Sequence, residues 1–424
     1  MVSRKGHWRV WLACGVAAAL VAGGCRKADD RAPALRVWAM GKEGEYLWRR
    51  FQGALVAGHR VSVQRIPWSA AHEKLLTSFV AGTFPDVVQM GTTWIPEFSA
   101  IGAILCEPAA PFRESDFFPG AADTAVFEGS WCATPWYVDT RLIFYRRDLL
   151  SQAGFDKPPR TWAEWREAME QMRKLGPHRY GLLAPLDEWH LLIALAFQCG
   201  AELLRDRDTR GNFQSDAFRR AFSFYVSLFR DGLAPFGGEA RVANVYQDFA
   251  AGLFTFYVTG PWNLGEFRHR LPEALQTQWA TAVLPTPELG MPSISVMGGA
   301  SLAIHRSSRR RDAARALVQQ LLTDEEQAQF HRLTGNLPAV RSAWERLKGD
   351  DGGRLAAFRE QLEHARATPK VPEWERIAAL VVQYTELVVR GELAADAALK
   401  RLDSEVDRVL DKRRWLLQRA GSRP

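Results

Sequence analysis

Asp139 and Arg141 stand in the run Thr134–Arg146, whose other members include Val138, Leu142, Ile143 and Phe144. A charge buried without a partner in such an apolar, strand-forming stretch is costly. Two arrangements accommodate the pair. Asp139 and Arg141 can neutralise each other at a sheet edge, or the strand can cross a ligand cleft. The same run carries Trp136 and Tyr137. Strand alternation sorts Trp136, Val138, Thr140 and Leu142 onto one face, and Tyr137, Asp139, Arg141 and Ile143 onto the other. Aromatic faces beside a carboxylate and a guanidinium are equipped for recognition by stacking and directed hydrogen bonds.

The elements before this run place similar residues at strand ends. Leu35–Met40 alternates as a strand, Gly41–Gly44 leads into a helical stretch ending at Phe51, and His59–Ile66 alternates again. Pro67 and Trp68 precede a helix over Ala70–Val80, and Asp86–Met90 reads as a short buried strand. This β-α-β-α-β order implies a parallel sheet with crossover helices. Ligands of such sheets sit beyond the carboxyl ends of the strands. Those positions hold Lys42, Glu43 and Glu45, then Pro67 and Trp68, then Gly91, Thr92, Thr93 and Trp94.

Downstream the pattern becomes mostly helical. Thr161/Glu164 and Thr323/Glu326 are capping boxes. Tyr180–Pro185 reads as a strand, followed by Asp187, Glu188, Trp189 and a helix through Cys199. Helices are expected over Ser215–Phe229 and Val242–Gly252. A strand over Phe254–Val258 runs into Thr259–Leu264, which includes Trp262 and Asn263. A further strand over Ser295–Ile304 holds Gly298 and Gly299, and glycine interrupts a strand where the backbone bends or something approaches closely.

The chain has 424 residues, 47% hydrophobic and 24% charged, enough for a large globular protein of two domains or lobes. Its formal charge of +7 is spread among acids, and no nucleic-acid-binding motif accompanies it. The runs Arg309–Arg311 and Lys412–Arg414 read as solvated helix ends. Arg4, Lys5 and Arg9 precede an apolar run over Trp11–Ala22 that is short for a membrane span. It ends in Gly23, Gly24 and Cys25, which resembles the lipobox of bacterial lipoproteins. That resemblance implies lipidation of Cys25, a signal over residues 1–24 and a tether over 25–34. Of the other cysteines, Cys14 leaves with the signal. Cys106, Cys132 and Cys199 allow at most one disulfide and show no metal spacing.

An exported carbohydrate-active enzyme would need a pair of carboxylates across the scissile bond. Asp139, Glu188, Glu43 and Glu97 are available, but nothing marks two of them as a pair. No G-x-S-x-G, H-E-x-x-H, P-loop or G-x-G-x-x-G pattern occurs. No catalytic residue, metal or cofactor is expected.

The order of several motifs carries a wider resemblance. The lipobox-like stretch, Pro85–Gln89, Thr134–Leu150, Thr161–Trp165, Thr259–Trp262 and Leu321–Glu325 resemble, in that order, the family 1 extracellular solute-binding proteins of ABC transporters. These are the relatives of maltose- and glycerol-phosphate-binding proteins, and the likeness spans essentially the whole mature chain. It implies a two-lobed, type II periplasmic-binding-protein-like α/β fold, each lobe a mainly parallel sheet flanked by helices. Three crossovers are implied near Asp139–Leu142, Ser295–Met297 and Leu321–Thr323. Lobe one would then hold 35–139 and 296–322, lobe two 140–295 and 323–415, with a tail over 416–424. The implied function is capture of a sugar between the lobes and delivery to an ABC permease, by a monomer held at the cell envelope by its N-terminal lipid. A glycerol-phosphate ester is the alternative, with Arg141 and Lys42 available to meet a phosphate. The implied contacts are Lys42, Glu43 and Glu45 from a first loop; Trp68, Thr92 and Trp94; Trp136, Tyr137 and Asp139; Glu188 and Trp189; Trp262 and Asn263; Gly298 and Gly299; and Trp374.

Overall fold

Leu35–Met40 lies inside the larger of the two main sheets, with five of its six residues buried. The computed structural model describes residues 34–109, 112–176, 179–236, 244–347, 349 and 353–421. The expected signal over 1–24, Cys25 and the expected tether up to residue 33 lie outside the described residues. Seven strands form the larger sheet, in the order Leu337–Pro338, Thr134–Asp139, Gly298–Ile304, Val87–Gly91, Leu35–Met40, His59–Ile66 and Leu55–Val56. Leu35–Met40 runs parallel to His59–Ile66 and to Val87–Gly91, as the strand–helix repeat requires. Helices Gly41–Phe51 and Trp68–Val80 make those crossovers.

The remaining pairings of this sheet are antiparallel. The smaller sheet runs Trp279–Ala282, Leu142–Arg146, Phe254–Thr259 and Tyr180–Leu183, and only its last pairing is parallel. Both sheets are therefore mixed, where mainly parallel ones were expected. Leu55–Val56 is antiparallel because a two-residue turn joins it to His59–Ile66, and none of the antiparallel pairs is joined by a right-handed crossover helix that would set their direction. Helices Trp162–Lys174, His190–Gln198, Asp216–Arg230, Trp374–Val389 and Ala395–Val409 pack with the smaller sheet in one apolar core. His190–Gln198 is buried at every position after its first, the pattern of a helix enclosed on all sides.

Two short segments link the sheets side by side. Thr134–Asp139 belongs to the larger sheet and Leu142–Arg146 to the smaller, with only Thr140 and Arg141 between them. The expected strand Ser295–Ile304 is divided at Met297. Ser295–Val296 pairs with Ala365–Arg366, and Gly298–Ile304 joins the larger sheet. The segments are tied together, since Thr140 Oγ1 donates to the Val296 carbonyl and Ser295 Oγ to the Arg141 carbonyl, both at 2.8 Å.

A third link was expected at Leu321–Thr323, and the elements that follow it continue beside the larger sheet. The helix Asp324–Thr334 packs on Gly41–Phe51, where the Tyr46 hydroxyl donates to Glu326, and Leu337–Pro338 pairs with Thr134–Asp139. The chain stays with the larger sheet through Ser342–Leu347; the helix Arg354–Glu363 is the next to pack against the smaller one. Thr323 does cap a helix, its Oγ1 accepting from Glu326 N, but a cap marks where a helix begins and not which sheet receives it. The expected tail is also different: a helix spans Asp411–Gly421.

Candidate functional site

Beyond the carboxyl ends of Leu35–Met40 and Val87–Gly91, and against the link at Asp139–Arg141, lies a cavity of about 590 Å³. That is the size range of small-ligand sites. The first strand turns directly into a helix at Gly41, with no loop between. Lys42 and Glu43 thus project from a first helical turn where a loop was expected. Gly41 has φ +55°, and a Cβ there would meet Glu43 Oε2 at 2.8 Å and Trp68 Nε1 at 2.9 Å. Glycine is required because Trp68 and Glu43 close in over the turn.

Each wall is fixed from behind. Gln89, fully buried, accepts from Met40 N at 2.7 Å and donates to the Tyr137 hydroxyl at 3.1 Å, which aims the phenol at the cavity floor. The Glu43 carboxylate accepts from Asn336 Nδ2. Burial raises its pKa, opposed by hydrogen bonds that include those from Asn336 and Trp68. Trp68 meets Trp94 edge to face at 5.7 Å, and His72, bonded to Glu97 at 2.7 Å, supports Trp94 from its other side. These indoles and Thr92 are on the larger-sheet wall.

The opposite wall is built on Arg141, Trp189, His190 and Trp262. Arg141 is buried and reaches Asp139 Oδ1 at 3.2 Å and Glu188 Oε2 at 3.3 Å, with its guanidinium 4.6 Å from the Trp262 ring centre. The Asp139–Arg141 pair is internal, as one reading had it, and faces the cavity, as the other did, although its strand is paired on both sides and is no sheet edge. Burial raises the Asp139 pKa, while the Arg141 charge works against it. For Glu188, burial is outweighed by the neighbouring His190, whose Nδ1 lies 3.3 Å from Oε2, and by the charge of Arg141, which hold its pKa at about 2. His190 is pushed down to about 4 by burial and by Arg141. Trp189 stacks on His190 with ring centres 3.9 Å apart.

The two glycines act on the backbone of the floor. A Cβ on Gly298 would fall 2.2 Å from Asp139 Oδ1, and one on Gly299, at φ +109°, 2.2 Å from the Tyr137 carbonyl. Gly299 lines the cavity and Gly298 makes room for Asp139. Of the residues expected to bind, Lys42, Glu43, Trp68, Thr92, Trp94, Tyr137, Asp139, Trp189, Trp262 and Gly299 do meet around the one cavity.

The others lie elsewhere. Trp136 is fully buried and packs at a tilt against Phe330, ring centres 4.7 Å apart, because it occupies the strand face opposite Tyr137 and Asp139. Trp374 is equally buried and meets Trp189 edge-on at 5.3 Å, so it backs the wall without forming it. Asn263 points inward, donating to Thr259 Oγ1 at 2.7 Å and accepting from the Tyr246 hydroxyl at 2.9 Å. Glu45 turns outward to pair with Arg49 and Arg65. Glu188 acts through Arg141. His190, Asn336, Met297 and Glu375 line the cavity without having been singled out as contacts, as do Thr93, noted only at a strand end, and Arg141, noted as a contact only for the phosphate alternative. Glu375 follows Trp374 directly and accepts from Thr93 Oγ1. Asn336 sits after a helix with no local pattern to mark it.

The arrangement offers flat indole faces and fixed polar groups to one solute. Among the described residues no cluster of three or more histidines, cysteines or acids could hold a metal, and no helix is long and apolar enough to cross a membrane. Known proteins resemble the chain along most of its length. The sugar-binding protein MalE from Xanthomonas citri is 42% identical, with a TM-score of 0.84 over 91% of this chain and 99% of that one. The diacetylchitobiose binding protein DasA of Streptomyces coelicolor is 23% identical over 390 residues, 89% of either chain. The GacH receptor of Streptomyces glaucescens, 22% identical, superposes with a TM-score of 0.77 over 90% of this chain and 99% of its own, a likeness of fold. The family model of the bacterial extracellular solute-binding proteins matches residues 42–328, and the chain belongs to that family.

Proposed function

We propose that the chain is the solute-binding component of an ABC importer and captures a sugar in the cavity between the two sheets. The observation that carries this reading is the joint placement of Trp68, Trp94, Trp189 and Trp262 around Tyr137, Asp139 and Glu43. A pyranose presents weakly apolar C–H faces and a rim of hydroxyls. Indoles cover the faces, and carboxylates, amides and the phenol bond the rim. What relatives bind supports it, since MalE and DasA are named for a sugar and for diacetylchitobiose. In this reading those groups bind a solute and leave it intact.

The lobes are assigned as residues 35–139 with 296–347, and 140–295 with 353–415, hinged at Thr140–Arg141 and Met297. The sheet pairings support this division. Lipidation of Cys25 would hold the protein at the outer face of a membrane, beside its permease. The disulfide between Cys106 and Cys132 supports export to an oxidising compartment.

The test is titration with mono-, di- and oligosaccharides, followed by tryptophan fluorescence and by calorimetry. Wild type binds at least one sugar in the panel without releasing cleavage products. Trp262→Ala, which removes a half-exposed face, weakens that sugar more than about tenfold, or about 1.4 kcal/mol, while melting changes little. Cleavage products, or no sugar bound across the panel, would overturn the proposal.

A further inference from the structure

Both cations at the cavity are already engaged. Arg141 spends Nη1 on Asp139 and Nη2 on Glu188, and Trp262 covers one side of its plane. Lys42 Nζ donates to Glu266 Oε1 at 2.6 Å, and Glu266 also holds Arg270 at 2.5 Å. Three carboxylates line the cavity, Glu43, Asp139 and Glu375, and two more, Glu188 and Glu266, stand behind the cations. His190, the remaining titratable group on that wall, adds no charge at neutral pH, its pKa being pushed down to about 4 by burial and by Arg141.

A phosphate or sulfate ester is recognised where an arginine fork presents two free N–H groups side by side. Here those two groups already face carboxylates. An incoming anion would displace Asp139 or Glu188 while remaining near both, and like charges at that range in a partly dry site repel strongly. We propose that this cage makes the cleft select against anionic solutes. Arg141 braces the wall and presents Trp262, while its partner acids repel phosphate esters, so the cleft takes uncharged polyols. The inference rests on the sugar reading above and narrows it.

The experiment titrates sn-glycerol 3-phosphate and inorganic phosphate into wild type, Glu188→Gln and Asp139→Asn at low ionic strength, with binding read by calorimetry. Wild type shows no saturable binding of either anion at millimolar concentration. Glu188→Gln removes one repelling charge and frees Nη2, so sn-glycerol 3-phosphate binds it at least about tenfold more tightly than wild type. Asp139→Asn does the same through Nη1 and serves if the first variant melts at too low a temperature to be assayed. Saturable binding of sn-glycerol 3-phosphate by wild type, or no gain in whichever variant is folded, overturns the inference whether or not neutral sugars bind. Failure of the sugar reading shows separately, as no response of wild type to the neutral panel.

Discussion

His190 and Glu188 are held below their ordinary pKa values by one cluster, and the consequence is a pH dependence of known sign. The folded pKa of Glu188 is about 2 against 4.5, and that of His190 is about 4 against 6.5. In that window the unfolded chain binds more protons than the folded one, so acid favours unfolding. The contribution of His190 is present above pH 6.5 and lost as pH falls toward about 4. Glu43 and Asp139 work in the opposite sense, since burial raises both, and their contribution is lost as pH rises. His190→Gln, which cannot titrate, therefore flattens the decline of melting temperature between pH 6.5 and about 4. A slope equal to that of wild type would remove His190 from the account. Residue type and strand ends made much of this site legible, including Glu43, Trp68, Trp94, Asp139 and Trp262. Facing was harder to read. Alternation already separated Trp136 from Tyr137 and Asp139, yet an aromatic residue on either face of a cleft strand looks equally useful in sequence. Asn336 reaches the cavity from a distant part of the chain with nothing near it in sequence to announce it, and Glu375 is one residue from the implied contact Trp374, which backs the wall instead.

Local signals determined the elements well. Thr161, Ser215 and Thr323 each cap a helix where the pattern placed one, and the first three long strands pair as their order demands. What did not show locally was the return of Leu337–Pro338 to the larger sheet, because two residues carry no periodicity. The pairing of Cys106 with Cys132 was equally open, since spacing alone could not choose among three cysteines. In the structure that bond flanks an antiparallel bridge in which Glu107 and Trp131 exchange backbone hydrogen bonds at 2.9 and 2.8 Å. The bridge and the disulfide close the same excursion, which carries the helix Pro119–Thr124 and the short hairpin Val126–Trp131. Closing a loop of that length is worth about 3–4 kcal/mol in the chain-entropy account. Cys106 is partly exposed, so reductant can reach it. Reduction, or the double replacement Cys106→Ser with Cys132→Ser, is expected to lower the melting temperature by several degrees and leave the circular dichroism spectrum native, because the backbone bridge remains. An unchanged melting temperature would show that the bridge alone fixes the excursion.

At the scale of the whole molecule, the links and the rim have separate tasks. The links are short and tied to each other through Thr140, Val296, Ser295 and Arg141, so rotation is confined to a few residues at strand ends, as hinge motions usually are. At the rim, Lys42 from the larger-sheet side meets Glu266 on the helix Trp262–Arg270, and Thr93 meets Glu375 on the helix Trp374–Val389. An exposed ion pair contributes about 0–1 kcal/mol, too little to hold two lobes closed alone. In the proposed reading a solute that touches both walls supplies the rest by binding a closed form better than an open one, since differential affinity is what shifts such a population. The prediction is a smaller radius of gyration in small-angle scattering on addition of a sugar that the titration panel identifies. Glu266→Gln breaks the Lys42 contact without touching the cavity wall, so it leaves the ligand-bound radius unchanged and weakens binding only slightly. A scattering profile that does not change at saturating sugar would overturn closure, and a Glu266→Gln protein that cannot compact would shift the task of holding the lobes from the solute to the rim.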